Sequence, residues 1–190
     1  DLIKVLAMGS SQPVDNYRKP LDESLSLPQY PYDLYLCNDC KHVQVLDVVD
    51  PSILYENYIY TSSSSTDLEE HFQGYANWLI QCKYANKGSK VLDIGANDGL
   101  FLSKLFKLGI CCTGIDPSGI STIDKNIPII KSYMDELGSK KLLNVSEEFD
   151  VITANNVFSH QDNISNMLEQ ITRFMGLNSW FIFEVSYLKS

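Results

Sequence analysis

The sequence has 190 residues, with 24 acidic side chains against 15 basic ones and a formal net charge of −9. That balance offers no basic stripe to a phosphate backbone, so nucleic acid is not an expected partner. No apolar run approaches the roughly 20 residues that span a bilayer, so no membrane association is expected, and the length suits one domain, or one with a small appendage.

The first third differs from the rest. Residues 1 to 66 hold five of the seven prolines and seven of the eleven tyrosines. Apolar runs between turn residues predict short strands at Leu2–Ala7, Tyr32–Cys37 and Val43–Val48. Pro51 opens a predicted short helix, Pro51–Tyr58, because proline suits a first helical turn. Between the second and third strands lies Cys37-Asn38-Asp39-Cys40, a C-x-x-C knuckle. Tetrahedral zinc wants four ligands and a knuckle supplies two; a redox pair or two plain cysteines are the alternatives. His42 lies too close in sequence for good geometry as a third ligand. Five cysteines is an odd count. In such a sequence they are expected to be reduced, which implies a cytoplasmic protein.

Tyr55, Tyr58 and Tyr60 precede a serine run, Ser62 to Ser65. They read either as the packed face of a helix or as a polar aromatic wall. Thr66 and Glu69 form a predicted capping box, and a helix is expected to run to about Asn86, with Gly88 ending it. Leu68, Phe72, Tyr75, Leu79 and Ile80 fall on one face of that helix. His71 flanks this face or points outward.

From Lys90 the pattern alternates. Strands are predicted at Lys90–Ile94, Cys111–Ile115, Ile129–Lys131, Val151–Asn155 and Ser179–Val185. Helices are predicted at Leu100–Leu108, Ser118–Lys125, Met134–Leu143 and Ile164–Phe174, with Gly109 and Gly176 as stops. Cys82, Cys111 and Cys112 are expected in the core. Such alternation predicts an α/β fold with a mostly parallel sheet and ligands at the carboxyl ends of the strands.

At those ends lie the residues of most interest. Val91-Leu92-Asp93-Ile94-Gly95-Ala96-Asn97-Asp98-Gly99 is an apolar strand, an acid and a glycine turn. Gly114-Ile115-Asp116 places a second acid about twenty residues past the first glycine, the Rossmann-type spacing at which a carboxylate takes ribose hydroxyls. A dinucleotide site wants three glycines and bare amides facing a pyrophosphate. This turn has two, with Asp93 and Asp98 beside them, and carboxylates repel pyrophosphate. They suit a cationic ligand such as S-adenosylmethionine, so Asp93, Gly95, Asn97, Asp98, Gly99 and Asp116 are the candidate cofactor residues, with Asn155 and Asn156 at the fourth strand's end. Asn155-Asn156-Val157-Phe158-Ser159-His160 could hold a polar substrate or move a proton, or simply cap the next turn.

Several motifs then align in order: C-x-x-C, Y-x-Y-x-S-S-x-S-T, D-I-G-A-N-D-G, G-I-D-P-S, N-N-V-F-S-H and F-E-V-S-Y-L. Nearly the whole chain thereby resembles the sugar C-methyltransferases that act on nucleotide-linked 4-keto deoxysugars. The resemblance implies a Rossmann-like class I methyltransferase domain over residues 66–190 and, before it, a small β-rich zinc-binding-type domain over residues 1–65. Members hold structural zinc on two C-x-x-C pairs; Cys37 and Cys40 match the second, and the first would precede Asp1. A third, substrate-binding domain, with an acid and histidines suited to base catalysis, would follow Ser190, so the sequence reads as part of a longer protein. His160 matches the active-site histidine of N-V-x-x-H. Tyr58 and Tyr60 match the tyrosines of the site wall, with Tyr55 behind, and Asp116 stands where members usually carry Glu. The implied reaction transfers a methyl group from S-adenosylmethionine to a carbon beside the keto group of a nucleotide-linked sugar. An O- or N-methyltransferase on another small molecule, or a non-catalytic cofactor-binding remnant, are the alternative readings.

Overall fold

A computed structural model describes residues 1–13, 28–56 and 58–186. The last residues of the F-E-V-S-Y-L element, Tyr187 and Leu188, lie outside them. The chain forms two units, residues 1–59 and 60–190. Residues 60–65, which the sequence groups with the first segment, fall in the second unit.

In the first unit, β1 (Leu2–Leu6) pairs antiparallel with β4 (Leu34–Cys37), and β4 pairs antiparallel with β5 (Val43–Gln44). A second ribbon joins β2 (Ser10–Ser11) to β3 (Tyr30–Pro31). Asp33 ties the two together: its carboxylate accepts from the amides of Met8 at 2.8 Å and Gly9 at 3.1 Å and from Lys4 Nζ at 2.5 Å. The third predicted strand, drawn to Val48, is cut to two residues, and Val48 is 73% exposed. Helix α1 (Pro51–Tyr55) is shorter than predicted and is capped by Asp50, whose carboxylate accepts from the Ser52 amide at 2.9 Å.

The second unit is an α/β sandwich, as its alternation predicts. Its five strands are β6 (Lys90–Ile94), β7 (Cys111–Asp116), β8 (Ile129–Lys131), β9 (Phe149–Asn155) and β10 (Met175–Glu184). All pair in parallel, in the order β10-β9-β6-β7-β8. Four helices flank them: α2 (Thr66–Gln81), α3 (Leu100–Lys107), α4 (Glu136–Leu142) and α5 (Ile164–Thr172).

Side chains alternate across a strand, and a parallel sheet is buried on both faces. Val91 and Val151 therefore join Phe72, Ala76, Leu79, Leu102 and Leu105 under α2 and α3. Their neighbours Leu92 and Ile152 join Leu142, Met167, Ile171 and Phe174 under α4 and α5. The strand order reverses between β6 and β9, so a crevice opens where Asp93 and Asn155 end their strands.

Several expected details give way to tertiary structure. Helix α2 is capped by Ser65, whose Oγ accepts from the Leu68 amide at 3.3 Å, while Glu69 reaches the buried Lys104 at 2.5 Å. The predicted Thr66–Glu69 capping box does not form, because the ion pair takes the glutamate. Helix α2 closes at Gln81, well before Gly88: Lys83 adopts φ +60°, and the Tyr84 amide returns to the Leu79 carbonyl at 3.0 Å. That turn buries Ala85 and packs Tyr84 against Trp78, with ring centroids 5.1 Å apart and the ring planes tilted by 46°. Residues 118–125 are a loop rather than the predicted helix; the Asp116 carboxylate captures the Ser118 amide and hydroxyl, and Gly119 sits at φ +70°. Gly176 lies inside β10 rather than stopping α5. Of the three cysteines expected in the core, Cys112 is buried, whereas Cys82 and Cys111 are exposed at the ends of α2 and β7. Among the described residues, no helix is long and apolar enough to cross a membrane.

Candidate cofactor site at the strand ends

Strand β6 delivers Asp93 to the switch point with its side chain 4% exposed. Thr153 on the neighbouring strand donates to its Oδ1 at 2.6 Å, and Asn155 Nδ2 does so at 3.3 Å. Burial pushes this carboxyl up to about 7, partly offset by the Thr153 bond and reinforced by the charge of Asp116. An ionised carboxylate here calls for a cation. Asn155 Oδ1 is also buried and has no hydrogen-bond partner among the described residues. An acceptor left in that state is costly, which points to an N–H-bearing ligand.

The turn after β6 brings its backbone close to the crevice. Gly95 (φ +71°), Asn97 (φ +51°) and Gly99 (φ +80°) all take the left-handed region. A Cβ on Gly95 would overlap a methyl group of Val157, so only glycine fits there. The Gly95 amide reaches the Ile115 carbonyl at 2.8 Å, which seats the turn against β7.

Asp116, 8% exposed, ends β7. Its Oδ2 accepts from the Asn97 amide at 2.9 Å, and its Oδ1 accepts from the amide of Ser118 at 2.9 Å and from its hydroxyl. A carboxylate accepts about four bonds, so Oδ2 retains room for a ligand hydroxyl.

Asn97 and Asp98 do something the sequence did not disclose. Asn97 Oδ1 accepts from the Ser62 amide at 2.9 Å, and its Nδ2 donates to the Tyr60 carbonyl at 3.0 Å. Asp98, 1% exposed, accepts from the Ser63 amide at 3.0 Å and the Leu100 amide at 3.2 Å. The two side chains thus strap the segment Tyr60–Ser63 onto the glycine turn while Asp98 caps α3. Tyr60 is brought to the site by this strap. Tyr58 belongs to the first unit, where its ring lies 6.2 Å from that of Tyr55.

After β9 the chain turns sharply. Asn156 adopts φ +54°, and residues Phe158–His160 form a single 3-10 turn that presents His160 at the surface. Phe158 anchors the turn on β10, its ring centroid 4.8 Å from that of Phe183. Three partners escaped sequence reading. Thr153 could have been noticed as a polar residue inside V-I-T-A-N. The pairing of His71 with Glu184, at 2.8 Å, spans 113 positions and left no local signal. The Tyr75 hydroxyl is buried without a hydrogen-bond partner among the described residues, and burial together with the charges of Asp93 and Glu184 raises its pKa.

In the first unit, Cys37 and Cys40 share a tight turn in which the Cys37 amide donates to the His42 carbonyl at 2.8 Å and Lys41 takes φ +62°. Backbone amides of Cys40 and Asp39, and then the Cys40 thiol, hold the Cys37 thiol below its ordinary range. This favours a thiolate ligand. Among the described residues, no cluster of three or more His, Cys, Asp or Glu could hold a metal ion, and Cys37 and Cys40 are two thiols where a tetrahedral zinc site needs four ligands.

Residues 68–190 match the family described as "Methyltransferase domain", and residues 1–55 match one described as "Putative zinc binding domain". The chain is 20% identical over 192 residues to the C-methyltransferase NovU of Streptomyces niveus, an alignment that covers 99% of this chain and 46% of that protein. It is 29% identical over 105 residues to a ubiquinone biosynthesis O-methyltransferase of Azorhizobium caulinodans, covering 50% of this chain and 40% of that one. The chain therefore spans under half the length of these relatives. A crystal structure of a SAM-dependent methyltransferase from Archaeoglobus fulgidus superposes with a TM-score of 0.53 at 21% identity, over 64% of this chain and 55% of that one, which is a likeness of fold.

Proposed function

We infer the function from one premise: the chain belongs to the methyltransferase-domain family, matched over residues 68–190. On this reading S-adenosylmethionine binds at the carboxyl ends of β6, β7 and β9, and its sulfonium supplies the methyl group. Asp116 Oδ2 accepts a ribose hydroxyl. Asp93 and the unpartnered Asn155 Oδ1 receive the ligand's ammonium group. Gly95 and Gly99 let the ligand lie against the main chain. Asn97 and Asp98 act by strapping the Tyr60–Ser63 segment beside it.

The acceptor is proposed to be a nucleotide-linked deoxysugar that carries a keto group. Its neighbouring carbon loses a proton to a base and then takes the methyl group, the charge that develops on the keto oxygen being relieved by a donor. Preorganised donors stabilise such developing charge most effectively. His160 and Tyr60 are the proposed acceptor-side residues. The carbon-directed reading is favoured over transfer to oxygen because the alignment with the C-methyltransferase runs through both units, whereas that with the O-methyltransferase covers half the chain.

The buried, unpartnered Asn155 Oδ1 beside an acid carries the cofactor assignment. Calorimetric titration with S-adenosylhomocysteine, with NAD as control, tests it. Micromolar binding of the former and none of the latter is expected; binding of NAD alone would overturn the assignment.

For the first unit we propose a structural zinc held by Cys37 and Cys40, completed by ligands from outside the described residues. This chain alone is expected to retain well under one zinc per molecule in elemental analysis after dialysis. A full equivalent that survives chelation would show that these residues suffice.

A further inference from the structure

The cofactor assignment leaves three polar side chains without a role: His71 on α2, Glu184 at the end of β10, and the side chain of Asn156. They are joined. Glu184 Oε2 lies 2.8 Å from His71 Nε2, and since a carboxylate only accepts, that nitrogen carries the hydrogen. The other oxygen, Oε1, accepts from Asn156 Nδ2 at 3.4 Å, and the Glu184 carbonyl accepts from the Asn156 amide at 2.7 Å. One residue of β10 therefore holds Asn156 by main chain and side chain, and α2 holds that residue in turn.

The place of this chain of bonds gives it meaning. His71 and Glu184 are 46% and 38% exposed, and exposed pairs of this kind contribute little to global stability. Yet Asn156 is the residue held at φ +54°, a conformation that persists only where its surroundings impose it. The next residue, Val157, occupies the space above Gly95 that a Cβ would need. Three residues further, the turn ends in His160, whose amide donates to the Val157 carbonyl at 2.9 Å. Phe158 fixes one side of the turn on Phe183; the Glu184 bonds fix the other.

We propose that His71, Glu184 and Asn156 form a clamp that sets the position of the N-V-F-S-H turn, and so of His160, over the glycine turn. All three are positioning residues. The clamp rests on the reading of this end of the sheet as the methyl-transfer site for its purpose, but its mechanics are independent of any ligand.

The test uses hydrogen exchange of the backbone amides and the ring signals of His160 by NMR, on the whole chain without ligand. His71→Leu and Glu184→Ala are expected to speed exchange of the amides from Asn156 to His160 at least tenfold and to shift the His160 ring signals. Exchange in β6 and β7 should stay unchanged. His71→Gln, which keeps a donor, should restore wild-type exchange in the turn. Asn156→Gly, which keeps the positive φ but loses the side-chain bond, guards against variants that fail to fold and should show the same local loosening. Unchanged exchange and ring signals in His71→Leu and Glu184→Ala would overturn the clamp, as would loosening spread evenly over the sheet. Failure of S-adenosylhomocysteine to bind wild-type protein would instead count against the cofactor reading and leave these measurements intact.

Discussion

Asp93→Asn is expected to weaken S-adenosylhomocysteine binding at pH 8 by about 2–3 kcal/mol, the scale of a lost bond to a charged group. The reason is the site's electrostatics. Asp93 is buried beside Asn155 with its carboxyl raised from 3.8 to about 7, and a ligand ammonium would favour its ionised form. Wild-type affinity should therefore fall as pH drops below 7, by up to about tenfold per unit, while the variant's weaker affinity stays flat. Without ligand the sign reverses. Between 3.8 and 7 the folded chain keeps a proton that the unfolded chain has released, so rising pH costs stability, and the cost is complete above 7. Asn removes that cost. The variant should gain stability over wild type as pH climbs from 4 to 7, up to on the order of 2–4 kcal/mol, and hold that gain above. Thermal melts and titrations from pH 5 to 8 measure both. Wild-type affinity that does not vary with pH would remove Asp93 from the ligand site.

Asp116→Ala is expected to weaken the same ligand by about 1–3 kcal/mol, or roughly 5- to 150-fold. Two losses combine. The ribose acceptor goes, and so does the bond from the Asn97 amide that seats the glycine turn at 2.9 Å. Asp116→Glu should stay within a few-fold of wild type if a carboxylate at this position is what matters. Calorimetry on the two variants separates the cases. Equal affinity in Asp116→Ala would sink the ribose assignment; equal loss in both would mean that the seat of the turn, rather than the charge, decides.

Local chemistry made the second unit legible. Lys90–Ile94 falls where its apolar run puts it, because a strand buried on both faces is written as a short continuous apolar segment; Ile129–Lys131, half-buried at the sheet edge, is found at its predicted place too. Asp93, Gly95 and Asp116 were readable for the same reason: their positions follow from strand ends and a tight turn, which are encoded within a few residues. Ser118–Lys125 failed because a single side chain, Asp116, competes for the backbone that a helix would need. The end of α2 failed because Lys83 accepts a left-handed conformation that propensity assigns to glycine, in exchange for burying Ala85.

The sequence by itself determined the layers of the sheet, its parallel pairing and the acid–glycine–acid arrangement, since hydrophobic period and turn chemistry act over short distances. Only the tertiary structure decided which polar groups meet. It turned Asn97 and Asp98 toward Ser62 and Ser63, placed Thr153 on Asp93, and joined His71 to Glu184 across 113 positions. Those contacts depend on strand order and register, which bring distant segments to one sheet edge and leave no periodic trace in the chain.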